Sequence, residues 1–208
     1  SVDALLALRL GFRPDVKRVP MFGLGCVAGA AGLARLNDYL LGHPDDVAVL
    51  ISVELCSLTV QRGDDSMGNL VASGLFGDGA AAVVMVGSDR AARLPITGPD
   101  VIGTCSRLYP GTEDVLGFNP GESGFRIVLT AGVADVIDSH FAEDVAGFLG
   151  DHDLSVSDID VWIAHPGGPR VLDSFSKTLD LPPGALDVSW NSMAQVGNMS
   201  SASVLHVL

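Results

Sequence analysis

The chain has 208 residues, 25 of them acidic against 12 basic, and a formal net charge of −13, so it lacks the basic footprint that nucleic-acid binding requires. Hydrophobic residues make up 48% and charged residues 18%, which supports a buried core and excludes a disordered chain. The sequence shows no signal peptide and no apolar run of about 18 residues, and its three cysteines (Cys26, Cys56, Cys105) lack CxxC spacing; this points away from a disulfide framework or zinc site and toward a soluble protein in a reducing, cytoplasmic compartment.

In chain order, Leu5, Leu6, Leu8 and Leu10 before Gly11 predict a short helix with a glycine stop. After a brief extended "KRVPMFGLG", Cys26 precedes "VAGAAGLARLNDYLLG", whose Leu33, Leu36 and Leu40 predict a helix. Its Gly29 and Gly32 would admit a second backbone, and it reads as buried all round. "DDVAVLISVEL" is apolar without alternation, as expected of a central strand covered on both faces. "SGLFGDGAAAVVMVG" reads as a glycine-rich turn into a second such strand, Ala80–Val86. Residues 88–124 are weakly patterned. Val133, Ile137, Phe141, Val145 and Phe148 then mark an amphipathic helix.

Asp158–Ala164 reads as a buried strand ending at His165, and Pro169 opens a helix at its first turn. "LPPGALDVSW" reads as a turn, and "QVGNMSSASVLHVL" as a loop into a final apolar helix that Ser200 or Ser201 could cap. The alternation of strands and helices predicts a layered α/β fold. The chain opens at Ser1 and closes in mid-apolar run, so it is expected to be part of something longer.

Three polar residues stand at junctions. Cys26 precedes a helix, where the dipole would lower its pKa. His165 ends a strand, and Asn198 sits in a Gly-Asn loop before a helix; ligands of open α/β sheets bind at such carboxyl ends. Together a cysteine and a histidine could form a thiolate–imidazolium pair, with the Cys26 backbone N–H available to an oxyanion. Taken singly, each residue also has an ordinary reading: a core cysteine, a structural histidine, a turn asparagine. His43, His140, His152 and His206 read as structural, and Asp78 as a turn residue fixing its loop.

The flanking motifs change that balance. "GLGCVAGAAG", "LFGDGAAAVV", "WIAHPGGP" and "GNMSSASV", in this order and at this spacing, resemble the type III polyketide synthases, the chalcone-synthase-like family. The resemblance implies a layered αβαβα thiolase-like fold, here incomplete: residues 1–87 would close the first thiolase-like half and carry the nucleophile, and 88–208 would form most of the second. It implies that Cys26 is the nucleophile, His165 its partner and Asn198 the third member. Acyl-CoA starters and malonyl-CoA would be the substrates, with a homodimer as the working form and no metal or redox cofactor. Nucleic acid and membrane are not expected partners.

By the same resemblance Phe76 and Phe125 would gate the cavity, and Cys56, Thr59 and Ser200 would line it. "GFNPGESGFRIVL" resembles bacterial alkylpyrone and alkylresorcinol synthases, which start from fatty acyl-CoA. Two rivals stay open. A ketoacyl synthase III shares the Cys-His-Asn set but uses an acyl carrier protein and typically reads His-Gln-Ala-Asn where this chain has "HPGGP". A non-catalytic fragment that folds only against a partner is the other. A Cys-His-Asn hydrolase is more distant, because "GCVAGAAG" does not resemble a cysteine-protease signature.

Overall fold

The computed structural model describes residues 2–121 and 124–208; Glu122 and Ser123 of the motif quoted above lie outside them. Helix α1 (Val2–Arg9) stops where Gly11 turns at φ +67°, a conformation open to glycine without a Cβ penalty. Helix α2 (Ala28–Gly42) follows a 3-10 turn, Gly25–Val27, that carries Cys26. Strand β1 (Val47–Glu54) pairs antiparallel with β2 (Gly79–Val86), Leu50 opposite Val83 and Glu54 opposite Gly79. Between them lies α3 (Met67–Leu75), capped by the Ser66 hydroxyl accepting from Asn69 N.

The β1–β2 sheet explains where the core sits. Its inner face carries Leu50 and Ser52, both buried, and is covered by α2 and by the last helix, α8 (Ser201–Val207). A Cβ on Gly32 would stand 2.5 Å from Leu50 Cδ1, so α2 lies directly on the strand at this glycine, and a larger residue would require the Leu50 side chain to move. The other face, with Val49, Val53 and Val84, is exposed. The expectation of a strand covered on both sides is therefore corrected: its apolar run is buried on one face only. Helix α2 is likewise not buried all round; only Gly29, Gly32, Ala34 and Leu40 are.

Beyond the short helix α4 (Ser88–Ala91), a hairpin of β3 (Leu116–Gly121) and β4 (Gly124–Leu129) occupies part of the stretch that shows little pattern in sequence. Helix α5 (Gly132–Gly150) packs on α6 (Pro169–Thr178) through Phe141 and Phe175, ring centroids 4.7 Å apart, and Lys177 reaches Asp138 at 2.7 Å. Pro169 stands in the first turn of α6 as expected.

Residues 158–164 are not a strand. Asp158 ends a 3-10 turn, and residues 159–164 have no ladder partner among the described residues. The backbone of Ala164 is satisfied instead by one side chain. Ser189 Oγ donates to Ala164 O at 2.7 Å and accepts from Ala164 N at 3.2 Å. Ser189 is itself fully buried on α7 (Asp187–Val196), which begins inside the stretch 181–190 expected to be a turn. No described helix is long and apolar enough to cross a membrane.

Candidate active site

Three chain segments converge on Asn198. The end of α3 arrives first: Asn198 N donates to Leu75 O at 2.8 Å and Gly77 N donates to Asn198 O at 2.9 Å, a parallel bridge between Phe76 and Asn198. Gly197 makes this approach possible, since it turns at φ +69° and a Cβ there would stand 2.7 Å from Leu75 O. The His165 segment arrives second, as Asn198 Nδ2 donates to Gly167 O at 3.2 Å. The start of α2 is third: the Ser200 and Asn198 side chains act on the Cys26 thiol and favour its thiolate. The helices themselves meet at Gly29, where a Cβ would lie 2.3 Å from Ser201 O.

The Asn198 amide is 1% exposed and held at both ends. Its Oδ1 accepts from Ser200 N at 2.8 Å and from Ser203 Oγ at 3.3 Å. That leaves its N–H groups for Gly167 and Cys26. Ser200, at the N-terminal boundary of α8, holds φ +50° and is buried. It makes no side-chain cap bond, so the expected capping role is not what its hydroxyl does; that hydroxyl faces Cys26. Non-glycine residues at such φ carry strain of roughly 1–3 kcal/mol and cluster at functional sites.

Burial pushes the Cys26 thiol up; the Ser200 hydrogen bond pulls it back, the charge of Glu54 pushes it up again, and the Asn198 hydrogen bond lowers it. The net direction is upward, against the lowering expected from the helix start, because burial of the thiolate is the largest cause. Glu54 is a site residue that the motifs did not single out. It accepts from the Ser201 hydroxyl and, at 3.4 Å, from Ser201 N.

His165 is the opposite case to Asn198. Both ring nitrogens are buried and neither has a hydrogen-bond partner among the described residues. Burial alone lowers its pKa to about 4, so the ring is neutral at pH 7. The other four histidines are all engaged. His43 and His140 stack on Tyr39 and Tyr109, His152 meets Phe148 edge-on, and His206 Nδ1 lies 3.0 Å from Ser192 Oγ.

A small cavity lies beside these segments. Cys56, Thr59, Phe76 and Ile127 line it together with residues of α3. Burial and the charges of Glu54, Cys26 and Asp78 push the Cys56 thiol to about 11. Phe125 is not among the lining residues: its ring packs edge-on against Phe118 and is half exposed. Two positions on, the same strand face supplies Ile127, which period-two alternation would have offered once the hairpin was recognised. Asp78 accepts from Ser57 N and Oγ, both at 2.7 Å, and so ties the 3-10 turn of Cys56 to the head of β2. Cys105 is exposed and stands apart.

The N-terminal domain profile of the chalcone and stilbene synthases matches residues 1–90, and their C-terminal domain profile matches residues 101–208. Over its whole length the chain is 62% identical to the 1,3,6,8-tetrahydroxynaphthalene synthase of Streptomyces peucetius subsp. caesius, of which it spans 55%. It is 33% identical to the alpha-pyrone synthesis polyketide synthase-like Pks18 of Mycobacterium tuberculosis, of which it spans 53%. The crystal structure of 1,3,6,8-tetrahydroxynaphthalene synthase from Streptomyces coelicolor, a bacterial type III polyketide synthase, superposes on the whole chain with a TM-score of 0.92 at 35% identity; the chain covers 58% of it. The chain thus spans about half the length of its relatives, and within that half it belongs to the chalcone and stilbene synthase family, the type III polyketide synthases, with their thiolase-like α/β fold.

Proposed function

We propose that this chain carries the condensing site of an enzyme that builds a polyketide from coenzyme A thioesters. The observation that carries the proposal is the contrast between His165 and Asn198. Buried imidazole nitrogens without partners cost free energy unless something else meets them. A thioester oxygen and a thiol are groups that could do so.

Cys26 attacks the starter thioester, its proton passing to His165; the carbon–sulfur bond to coenzyme A breaks, and the leaving thiolate takes the proton from His165. The neutral resting pair is compatible with this sequence, because proton transfer then accompanies attack. In the second step the carboxylate carbon–carbon bond of malonyl-CoA breaks and carbon dioxide leaves. The electron pair moves onto the thioester oxygen as an enolate, stabilised by N–H donors of Asn198 and the His165 ring. The enolate carbon then bonds to the acyl carbon, and the Cys26 thiolate is released. Bonds and protons balance at each step, so the sequence calls on no metal or redox cofactor.

For the product, we favour a tetrahydroxynaphthalene over an alkylpyrone or alkylresorcinol. Identity to the tetrahydroxynaphthalene synthase is 62% over the whole chain, against 33% to the pyrone-forming relative. A naphthalene ring with alternate oxygens is a chain of two-carbon units and has no alkyl tail. Malonyl-CoA would then supply both starter and extender. The full-length enzyme should be incubated with malonyl-CoA alone and with added fatty acyl-CoA, and the products read by mass. Tetrahydroxynaphthalene from malonyl-CoA alone is the expected result. Products that appear only with the fatty acyl-CoA would return the reading to alkylpyrones or alkylresorcinols, and turnover only with acyl carrier protein thioesters would make it a ketoacyl synthase.

A further inference from the structure

Asn198 works as a donor only while its amide keeps one of two orientations, which differ by a half-turn about the last torsion and are nearly equal in shape. Two groups decide the orientation from the oxygen side. One is Ser200 N, a local Asx-type contact at 2.8 Å. The other is the hydroxyl of Ser203, the third residue of α8, with Oγ 3.3 Å from Oδ1. Ser203 is 0% exposed. Its Oγ also accepts from Met199 N at 2.7 Å. An acceptor engaged in this way directs its own proton elsewhere, and Oδ1 is the acceptor within reach. Met199 N–H, Ser203 O–H and Asn198 Oδ1 form a buried relay whose far end sends the amide N–H groups toward Gly167 and Cys26.

We infer that Ser203 is a positioning residue: through the relay from Met199 N it holds the Asn198 amide with its N–H groups facing Cys26 and the incoming thioester. This inference rests on the condensing-site reading above. Ser203 touches neither Cys26 nor substrate; it acts through Asn198. Without it, Oδ1 loses one of two donors, Met199 N–H loses its partner in the interior, and the flipped amide would present an acceptor to a developing oxyanion. Loading of the starter onto Cys26 forms no enolate, and Asn198 influences the thiol less than burial and Ser200 do, so the two half-reactions should separate.

The test uses the full-length enzyme and its Ser203→Ala variant, with two measurements. One is carbon dioxide release from malonyl-CoA; the other is acylation of Cys26 by a starter thioester, read by intact mass. Decarboxylation should fall by about 10-fold to 100-fold while acylation stays within about twofold, since misplacing a catalytic group by an ångström costs on this order. Combining Ser203→Ala with Asn198→Ala should add nothing to the loss from Asn198→Ala alone, because the relay then has nothing to orient. Unchanged decarboxylation would overturn the inference, as would an equal fall in both half-reactions or an additive double variant. If the alanine variant does not fold, Ser203→Cys keeps the volume and a weak donor and is read the same way, with a smaller selective loss expected. Failure of both to fold would make Ser203 a structural residue and overturn the inference. A wild-type enzyme that neither acylates Cys26 nor releases carbon dioxide would instead sink the condensing-site reading itself.

Discussion

The corner at Asn198 and the segment bearing His165 lie side by side and are built on opposite terms. At Asn198 the amide oxygen has two donors, the amide nitrogen donates to Gly167 O and acts on the Cys26 thiol, and both backbone groups are paired, to Leu75 at the end of α3 and to Gly77 just beyond it. At His165 the ring is buried among the described residues with both nitrogens unpartnered, while the backbone just before it hangs on a single hydroxyl, that of Ser189. The chain completes one half of the site from its own groups; in the proposed mechanism the other half is met by substrate. One is preorganised; the other is an unspent hydrogen-bonding capacity.

The largest effect on this contrast should come from removing the thiol that Asn198 acts on and that the proposed mechanism pairs with His165. Cys26→Ala in the full-length enzyme should lower product formation by at least about 1,000-fold; product within tenfold of wild type would show that the thiol is not the nucleophile. Next is the stability difference between the halves. Asn198→Leu strands Ser200 N, the Ser203 hydroxyl and Gly167 O, and should cost about 3–4 kcal/mol in denaturant unfolding. His165→Phe removes two unpartnered nitrogens and should cost less than about 1 kcal/mol or stabilise. Equal losses would erase the distinction.

The pH dependence of stability offers a third test. His165 titrates at about 4 in the fold against about 6.5 unfolded. The unfolded chain therefore binds the proton first as pH falls, and stability should drop between about pH 6.5 and pH 4, by about 3 kcal/mol from this group. His165→Phe should flatten that part of the curve; an unchanged curve would mean that the ring is solvated. The smallest effect concerns the joint between α2 and α8. Gly29→Ala places a methyl group 2.3 Å from Ser201 O and 2.7 Å from Val204 Cγ1, so it should destabilise by about 2 kcal/mol through overpacking despite alanine's better helix propensity. A rise in the unfolding midpoint would show that the helices part freely.

Much of this was legible in the sequence, and the reasons differ by residue. Pro169 marked the start of α6 because its missing N–H costs nothing in the first turn. The run Ala80–Val86 marked β2 by β-branched and small apolar content, and Gly29 announced the close approach to α8. What escaped was non-local. Residues 159–163 have the apolar run of a strand, but a strand also needs a ladder, and Ser189, 25 positions on from Ala164, takes the Ala164 backbone instead. Helix α7 was hidden by the Pro-Pro-Gly before it. The β3–β4 hairpin contains Pro120 and three glycines, Gly117, Gly121 and Gly124, which dilute the period-two signal, so neither its pairing nor the place of Ile127 was readable. The motif residues Cys26 and Asn198 do meet, yet the upward push on the thiol depends on burial and on Glu54, neither of which any motif records.

Ser200 brings a different consequence. Its backbone sits where glycine would be relaxed, while its hydroxyl is one of the groups that hold the Cys26 thiol. Glycine at 200 would ease the turn and silence the side chain; serine keeps the side chain and leaves the turn under tension. Selection for a tougher molecule and selection for a faster one therefore pull this position in opposite directions.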